Sequence, residues 1–195
     1  MRLQRVKKKT PRMSGEEVRE RLIDALLRQA ARGGIEDLSV RAIAAEAGVN
    51  HGLVHRHFGS KGELVRAAIA RTAGRIMAGG APGIASRTFA VLAEGPEIPR
   101  VVARACLDGP HDDLALAGPP PDQLAEIVRP IDRALRALGV TGVDGRVVNG
   151  LVAAALLGWF VFRPLLERGY AVEPGDDAQV ARLLARLDAM LSSAR

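Results

Sequence analysis

Cysteine, tryptophan and tyrosine each occur once in this chain of 195 residues, and aromatic residues make up only 3% of it. The lone Cys106 excludes an intramolecular disulfide and leaves no cysteine pair to hold zinc. With so few rings the core must be built from Leu, Val, Ile and Ala, within a hydrophobic content of 48%. Long apolar runs are also missing. The most apolar stretch, Val147 to Phe162, has 16 residues and contains Asn149, against about 20 needed to cross a bilayer. The basic N-terminus has no apolar segment behind it, so it does not read as a secretory signal, and the cytoplasm is the expected compartment. No Ser-His-Asp arrangement, phosphate-cradling Gly loop or usefully spaced carboxylate pair is present. An enzyme, a resident metal and a cofactor are therefore not expected.

What is present is an uneven charge. The net charge is +6. Residues 1–75 hold 16 Lys and Arg against 8 Asp and Glu, while residues 76–195 hold 12 against 14. Positive charge gathered on one half of a chain is the electrostatic footprint of a nucleic-acid reader.

That half contains the stretch SVRAIAAEAGVNHGLVHRHFGSK, Ser39 to Lys61. Ser39 is a good N-cap, and Val40, Ile43, Ala44 and Ala47 recur at helical spacing. Gly48 stands where the helix must stop, because glycine enters the left-handed region without a Cβ clash. Asn50 can cap a second short helix, His51 to His57, so the pair reads as a helix-turn-helix. In the second helix Val54 and Phe58 can face inward, while His51, Gly52, Leu53, His55, Arg56 and His57 occupy the remaining surface. Ser60 with Glu63 then opens a third helix in a capping box. Upstream, Ser14 with Glu17 opens a helix carrying Val18, Leu22, Ala25, Leu26 and Gln29 on one face, stopped by Gly33-Gly34. Ile35 and Leu38 plug the small core.

A capped helix ending in A-x-E-A-G-V, followed by N-H-G-L-V-H-R-H-F-G-S-K-G-E-L, resembles the DNA-binding signature of TetR-family transcriptional regulators. The resemblance runs from about Val18 to Ala68 without a gap. Beyond Ala68 it is loose: helix count, and a Trp-Phe-containing apolar segment ending in F-R-P-L-L. It implies an all-α fold, with an N-terminal three-helix helix-turn-helix domain and a larger C-terminal helical domain for dimerisation and effector binding.

The chain then divides into a basic flexible arm at 1–13, a helix-turn-helix domain with its connecting helix at 14–75, and an effector-binding and dimerisation domain at 76–195. The arm could lie along phosphates or enter a minor groove, or it could be a solubilising tail or a wrongly assigned start. Gly79 to Gly83 breaks the connecting helix. Helices are expected at Ser86–Glu94 and Ile98–Asp108, then a Pro- and Gly-rich loop to Pro121. A helix from Asp122 to Leu138 should be kinked or divided at Pro130. Its buried side is expected to hold Leu124, Ile127, Val128, Ile131, Leu135 and Leu138. Asp144 opens the most apolar helix, which should be buried on every side. Gly150, Ala154 and Gly158 give it one face nearly without side chains, where another helix can approach. The last helix, Asp176 to Leu191, turns Val180, Leu183, Leu184, Leu187 and Leu191 inward. In the family resembled, the final two helices pair with their symmetry mates, which places Gly150, Ala154, Gly158, Leu183 and Leu187 at a homodimer interface; the competing reading is an intramolecular core.

Carried over position by position, the resemblance puts Arg41, His51, Gly52 and Leu53 at base edges. His51 could donate to guanine, Gly52 would let the backbone come close, and Leu53 could meet a thymine methyl. Arg41 could equally be a surface arginine in a first turn. Phosphate contacts fall to Asn50, His55, Arg56, His57 and Lys61. The family commonly has Tyr where His55 stands and Leu where Val54 stands. Histidines in general titrate near pH 6.5, so a three-histidine helix implies tighter and less selective DNA binding as pH falls. For an effector, Arg104, Cys106, Asn149 and Trp159 are the polar or aromatic groups near buried-looking faces, and the aliphatic surroundings suggest an apolar ligand.

The expected function is a cytoplasmic, homodimeric DNA-binding regulator, most simply a repressor. It would be released from a palindromic duplex operator by a small-molecule effector and would have no membrane partner. The alternatives are a non-specific architectural DNA-binding protein, a membrane-associated protein, or a small helical enzyme.

Overall fold

A computed structural model describes residues 13–33, 38–80, 83–95, 97–108, 119 and 121–193. They form ten α-helices, one 3-10 turn and no strand among the described residues: α1 (Gly15–Gly33), α2 (Val40–Ala47), α3 (Gly52–Phe58), α4 (Lys61–Met77), α5 (Ile84–Glu94), α6 (Glu97–Asp108), α7 (Pro121–Ala137), α8 (Gly145–Val161), α9 (Arg163–Gly169) and α10 (Asp177–Ser193). The basic arm up to residue 12, Ile35, and most of the loop between α6 and α7 lie outside the described residues.

The serines open the N-terminal helices as their spacing implies. Ser14 Oγ accepts from the Glu17 amide, Ser39 Oγ from Ala42, and Ser60 Oγ from Glu63, at 3.1, 3.0 and 3.1 Å. Each satisfies one of the amides that a helix start leaves without a partner. Gly48 ends α2 at φ +69°, and its N–H reaches back to the carbonyls of Ala44 and Ala45. Leu22 and Leu26 of α1, Ile43 of α2, Val54 of α3 and Leu64 of α4 show no measurable exposure. Burial of each such side chain stabilises the fold by about 1.5–3 kcal/mol. Leu38 is buried beside them. Four short elements thus share one apolar centre, and α1 and α4 also pack against α6.

The rest of the chain extends that core. Phe89 of α5 and Phe160 of α8 meet with ring centroids 5.3 Å apart, and Leu92, Ile98, Val101, Leu156 and Leu184 are buried around them. A buried carboxylate ties the last helix to the fifth. Asp188 of α10 accepts from the amides of Ala85 (3.3 Å) and Ser86 (2.9 Å) at the start of α5. The cap of α5 therefore comes from more than a hundred residues away in sequence.

Four expectations need correction. Of the kink or division expected at Pro130, the division does not occur: α7 runs through it as one helix. The carbonyl that loses its partner belongs to Glu126, on the exposed side, where water can serve it. Leu138, expected on the buried side of α7, lies just beyond its end and is 72% exposed. α8 is not buried all round: Leu156 and Phe160 are, but Val147 and Leu151 are 65% and 70% exposed. Leu183 of α10 faces outward, as does Met190, while Leu184 is buried. The physical reason is common to both helices, since each has neighbours from its own chain on one side only. Smaller shifts occur at helix ends. α5 and α6 begin before Ser86 and Ile98, and α3 begins at Gly52, one residue later than expected. Asp176 closes the 3-10 turn rather than opening α10.

No single described helix is long and apolar enough to cross a membrane. α8 and α9 reach that length only together, and they are bent by 75°.

Candidate nucleic-acid interface

α3 is held by two anchors. Val54 and Phe58 are buried in the core, which leaves His51, Gly52, His55 and Arg56 exposed and Leu53 and His57 half-buried. Asn50 shapes the entry to the helix, its Oδ1 accepting from the Gly52 amide at 2.8 Å. A Cβ on Gly52 would come within 3.2 Å of that oxygen, tighter than ordinary van der Waals contact, so glycine suits this close turn. The arrangement commits Asn50 Oδ1 inward and leaves its Nδ2 as the group able to donate to a phosphate. Leu53 packs partly against the core, which limits how far it can reach.

His55 Nδ1 lies 3.1 Å from the Gly59 carbonyl. A carbonyl only accepts, so Nδ1 carries the hydrogen in this contact. The outward Nε2 of the neutral ring is then an acceptor, and only the imidazolium donates to a phosphate. The His57 ring rests near the start of α1, where a Cβ on Gly15 would lie 3.5 Å from its Cε1. Lys61 stands at the first residue of α4, beside helix-start amides that favour an anion.

One residue the sequence did not single out holds this helix. Arg19 of α1 donates to the His57 carbonyl at 2.6 Å, and its guanidinium lies 4.4 Å from the centroid of the Phe58 ring. A cation at the C-terminal end of a helix is placed favourably against its dipole. The only sequence signal was a basic residue bordering the apolar face of α1, which does not reveal its partner across the fold.

Charge pairing separates the arginines into two groups. Arg28 and Arg32 both pair with Glu46 at 3.0 Å, Arg71 with Glu20 and Asp24, and Arg21 with Glu17. Arg41, in the first turn of α2, and Arg56, on α3, are exposed and make no ion pair or side-chain hydrogen bond with another described residue. Cations that no described carboxylate pairs with are available to an outside anion.

Residues 22–68 match the family model described as bacterial regulatory proteins, tetR family. The HTH-type transcriptional repressor Rv3405c of Mycobacterium tuberculosis is 34% identical over 173 residues, covering 85% of this chain and 85% of the relative. The chain belongs to the TetR family. The nicotine-responsive transcriptional repressor HdnoR of Paenarthrobacter nicotinovorans is 33% identical over 97 residues, 50% of this chain and 45% of that protein. A crystal structure of a tetR-family regulator from Streptomyces coelicolor superimposes with a TM-score of 0.60 at 23% identity, covering 92% of this chain and 82% of that one. This TetR-family protein is accordingly a DNA-binding transcriptional regulator and not an enzyme.

Glu46 links α2, which precedes the turn, to α1 in this TetR-family head. Hydrogen bonding from Arg28, opposed by partial burial and aided by Gln29 and Arg32, holds its carboxyl below the ordinary carboxylate range. A group whose pKa is lowered by folding adds stability above its unfolded pKa and loses it as pH falls through the folded value. Glu46→Gln is therefore expected to lower the melting temperature near neutral pH. The difference from wild type should shrink as pH falls below about 4, as thermal melts across that range would read.

Elsewhere in this TetR-family chain the remaining expected site residues separate. Gly150 and Ala154 are exposed, and a Cβ at Gly150 would meet nothing within 4 Å, so among the described residues no helix covers this stripe. Gly158 is half-buried, its nearest neighbour being Phe162 of the same helix end. Leu183 is exposed and Leu187 half-buried on α10. A cavity of about 180 Å³ opens between α4, α5, α6, α7 and α8, and Asn149 lines it. Arg104, Cys106 and Trp159 do not. Cys106 is exposed, and Arg104 is half-buried on α6. Trp159 donates from Nε1 to Asp177 at 2.8 Å, with Arg163 over its ring.

Proposed function

We propose that this protein is a homodimeric repressor that sets two copies of α3 into successive major grooves of a palindromic operator. A small, largely apolar effector in the α4–α8 cavity would release it, and its expected compartment is the cytoplasm. The observation that carries the DNA reading is the pair of exposed cations, Arg41 and Arg56, which no described carboxylate pairs with, on the same two helices as exposed His51 and Gly52. Arg41, His51, Gly52 and Leu53 are the proposed base contacts, and Asn50, His55, Arg56, His57 and Lys61 the phosphate contacts. The division into a reading domain at 14–75 and a dimerising, ligand-binding domain at 76–195 belongs to the same proposal. So does a groove or phosphate contact for the arm at 1–13.

α4 supports the release step. Its first half supplies Leu64 and Ala68 to the core, and its second half lines the cavity with Thr72, Ala73 and Ile76. A ligand that displaces the second half acts on the same rigid helix that carries the head. For dimerisation, Val147, Leu151 and Ala154 on α8 repeat at spacings of four and three, the rhythm of a helix-packing seam.

Selection of bound sites from random duplex DNA tests the reading. The expected product is an inverted repeat with half-sites about one helical turn or more apart. Binding that falls steeply with salt but selects no sequence would instead indicate an architectural protein. His55→Ala is also expected to weaken operator binding at fixed salt and pH, because the exposed ring at this position of α3 is a proposed phosphate contact. Unchanged affinity would remove His55 from the contact set.

A further inference from the structure

The hydrogen-bonding groups around the α4–α8 cavity specify what it can hold. Thr72 donates its hydroxyl hydrogen to the Ala68 carbonyl at 3.1 Å, and Thr88 donates to the Ile84 carbonyl at 2.7 Å. Both hydroxyls line the cavity with their single hydrogen already committed to their own helix, so towards a ligand they only accept. Asn149 also lines it, and its carboxamide makes no hydrogen bond with another described residue. The described lining otherwise consists of Ala, Ile, Leu, Met, Pro and Val side chains, with no Lys, Arg, His, Asp or Glu.

A carboxylate ligand would face three acceptor oxygens, those of Thr72, Thr88 and Asn149, with one carboxamide NH2 to receive it. A cationic ligand would find no opposing charge, and burying an unpaired ion costs several kcal/mol. A pure hydrocarbon would remove the Asn149 amide from water without replacing its hydrogen bonds. A hydroxyl both donates and accepts. It can give its hydrogen to one of the three oxygens while receiving from Asn149 Nδ2.

We infer that the cavity takes a compact, uncharged, mainly apolar molecule bearing a hydroxyl group, an alcohol or a phenol, and that Asn149 selects for that hydroxyl. This rests on the cavity being the effector site, and it adds the ligand's chemical class.

Three probes of nearly equal shape test it on the full-length protein: 2-naphthol, 2-methylnaphthalene and 2-naphthoate. Binding is read by calorimetry and thermal shift, and release from the selected operator by fluorescence anisotropy. 2-Naphthol is expected to bind at least about tenfold more tightly than either analogue, as one or two net hydrogen bonds imply. Asn149→Leu should bring 2-naphthol down to the level of 2-methylnaphthalene while operator binding without ligand is kept. If that variant does not fold, Thr88→Val supplies the second test and should reduce the same preference. Equal or tighter binding of 2-naphthoate, no binding of 2-naphthol, or a folded Asn149→Leu protein that keeps the preference would each overturn the inference. A protein that fails in these ways yet still selects its operator keeps the repressor reading. Loss of operator selection by wild type would strike that reading instead.

Discussion

Leu151→Glu is expected to break the proposed dimer into monomers and to weaken operator binding by about 10²- to 10⁴-fold. Leu151 is 70% exposed and Val147 65% exposed on α8, next to a stripe at Gly150 and Ala154 that no described residue of the same chain covers. Large uncovered apolar surface on a folded chain marks an interaction site. In the proposed two-fold symmetric dimer each substitution occurs twice, so the glutamates would bring two carboxylates into the proposed α8 interface. Desolvation and mutual repulsion both oppose assembly. The loss in DNA affinity follows from valency. Two linked heads bind a two-part site with a strength that a single head lacks, and the gain from linkage is about 10²–10⁴. The fold of the single chain should survive, because the substituted side chain already faces water there. Sedimentation velocity and operator titration check both parts together. A persistent dimer would place the interface elsewhere, and a monomer with full affinity would show that the heads act independently.

Arg19→Ala is expected to weaken operator binding by about 10²-fold while changing far-UV circular dichroism little. The guanidinium donates to the His57 carbonyl and covers the Phe58 ring, so it secures the C-terminal end of α3. Hydrogen bonds involving a charged group contribute about 1.5–3 kcal/mol, and the loss is felt in both heads of a dimer. Val54 and Phe58 remain buried in the variant and keep α3 on the body, but its terminal turn is freer and must be ordered on the DNA. Arg19→Lys retains the charge without the planar group that stacks on the ring, and it should recover part of the affinity. If Arg19→Ala lowers the melting temperature and leaves DNA affinity unchanged, the contact supports stability only.

The N-terminal helices were legible because their signals are local. A serine cap, an apolar residue every third or fourth position and a glycine in the left-handed region all act within a few residues, and Ser39, Ile43 and Gly48 stand as their spacing implied. The exposed side of α3 followed from the same periodicity. What was not legible depends on partners distant in sequence. Arg19 reaches a carbonyl 38 positions away, and nothing near it in the chain points there. Trp159 looked like a pocket group, but its indole N–H is taken by Asp177. The aliphatic run of α8 did not show which of its sides its own chain buries, because hydropathy does not separate Leu156 and Phe160, which are buried, from Val147 and Leu151, which are exposed. Pro130 was read as a kink or a division; the helix is not divided, because the orphaned carbonyl of Glu126 lies on the exposed side.

The carboxylate of Asp188 sets a practical constraint on engineering the protein. Removing the C-terminal helix to test the proposed dimer would also strip the amides of Ala85 and Ser86 of their acceptor. Those amides begin the helix that lines the cavity with Ile84, Thr88 and Leu92. A truncated protein would thus have a frayed cavity wall as well as lacking one helix of the proposed dimer surface, and the two defects could not be told apart. Surface point changes are the cleaner tool, because they separate assembly from ligand response.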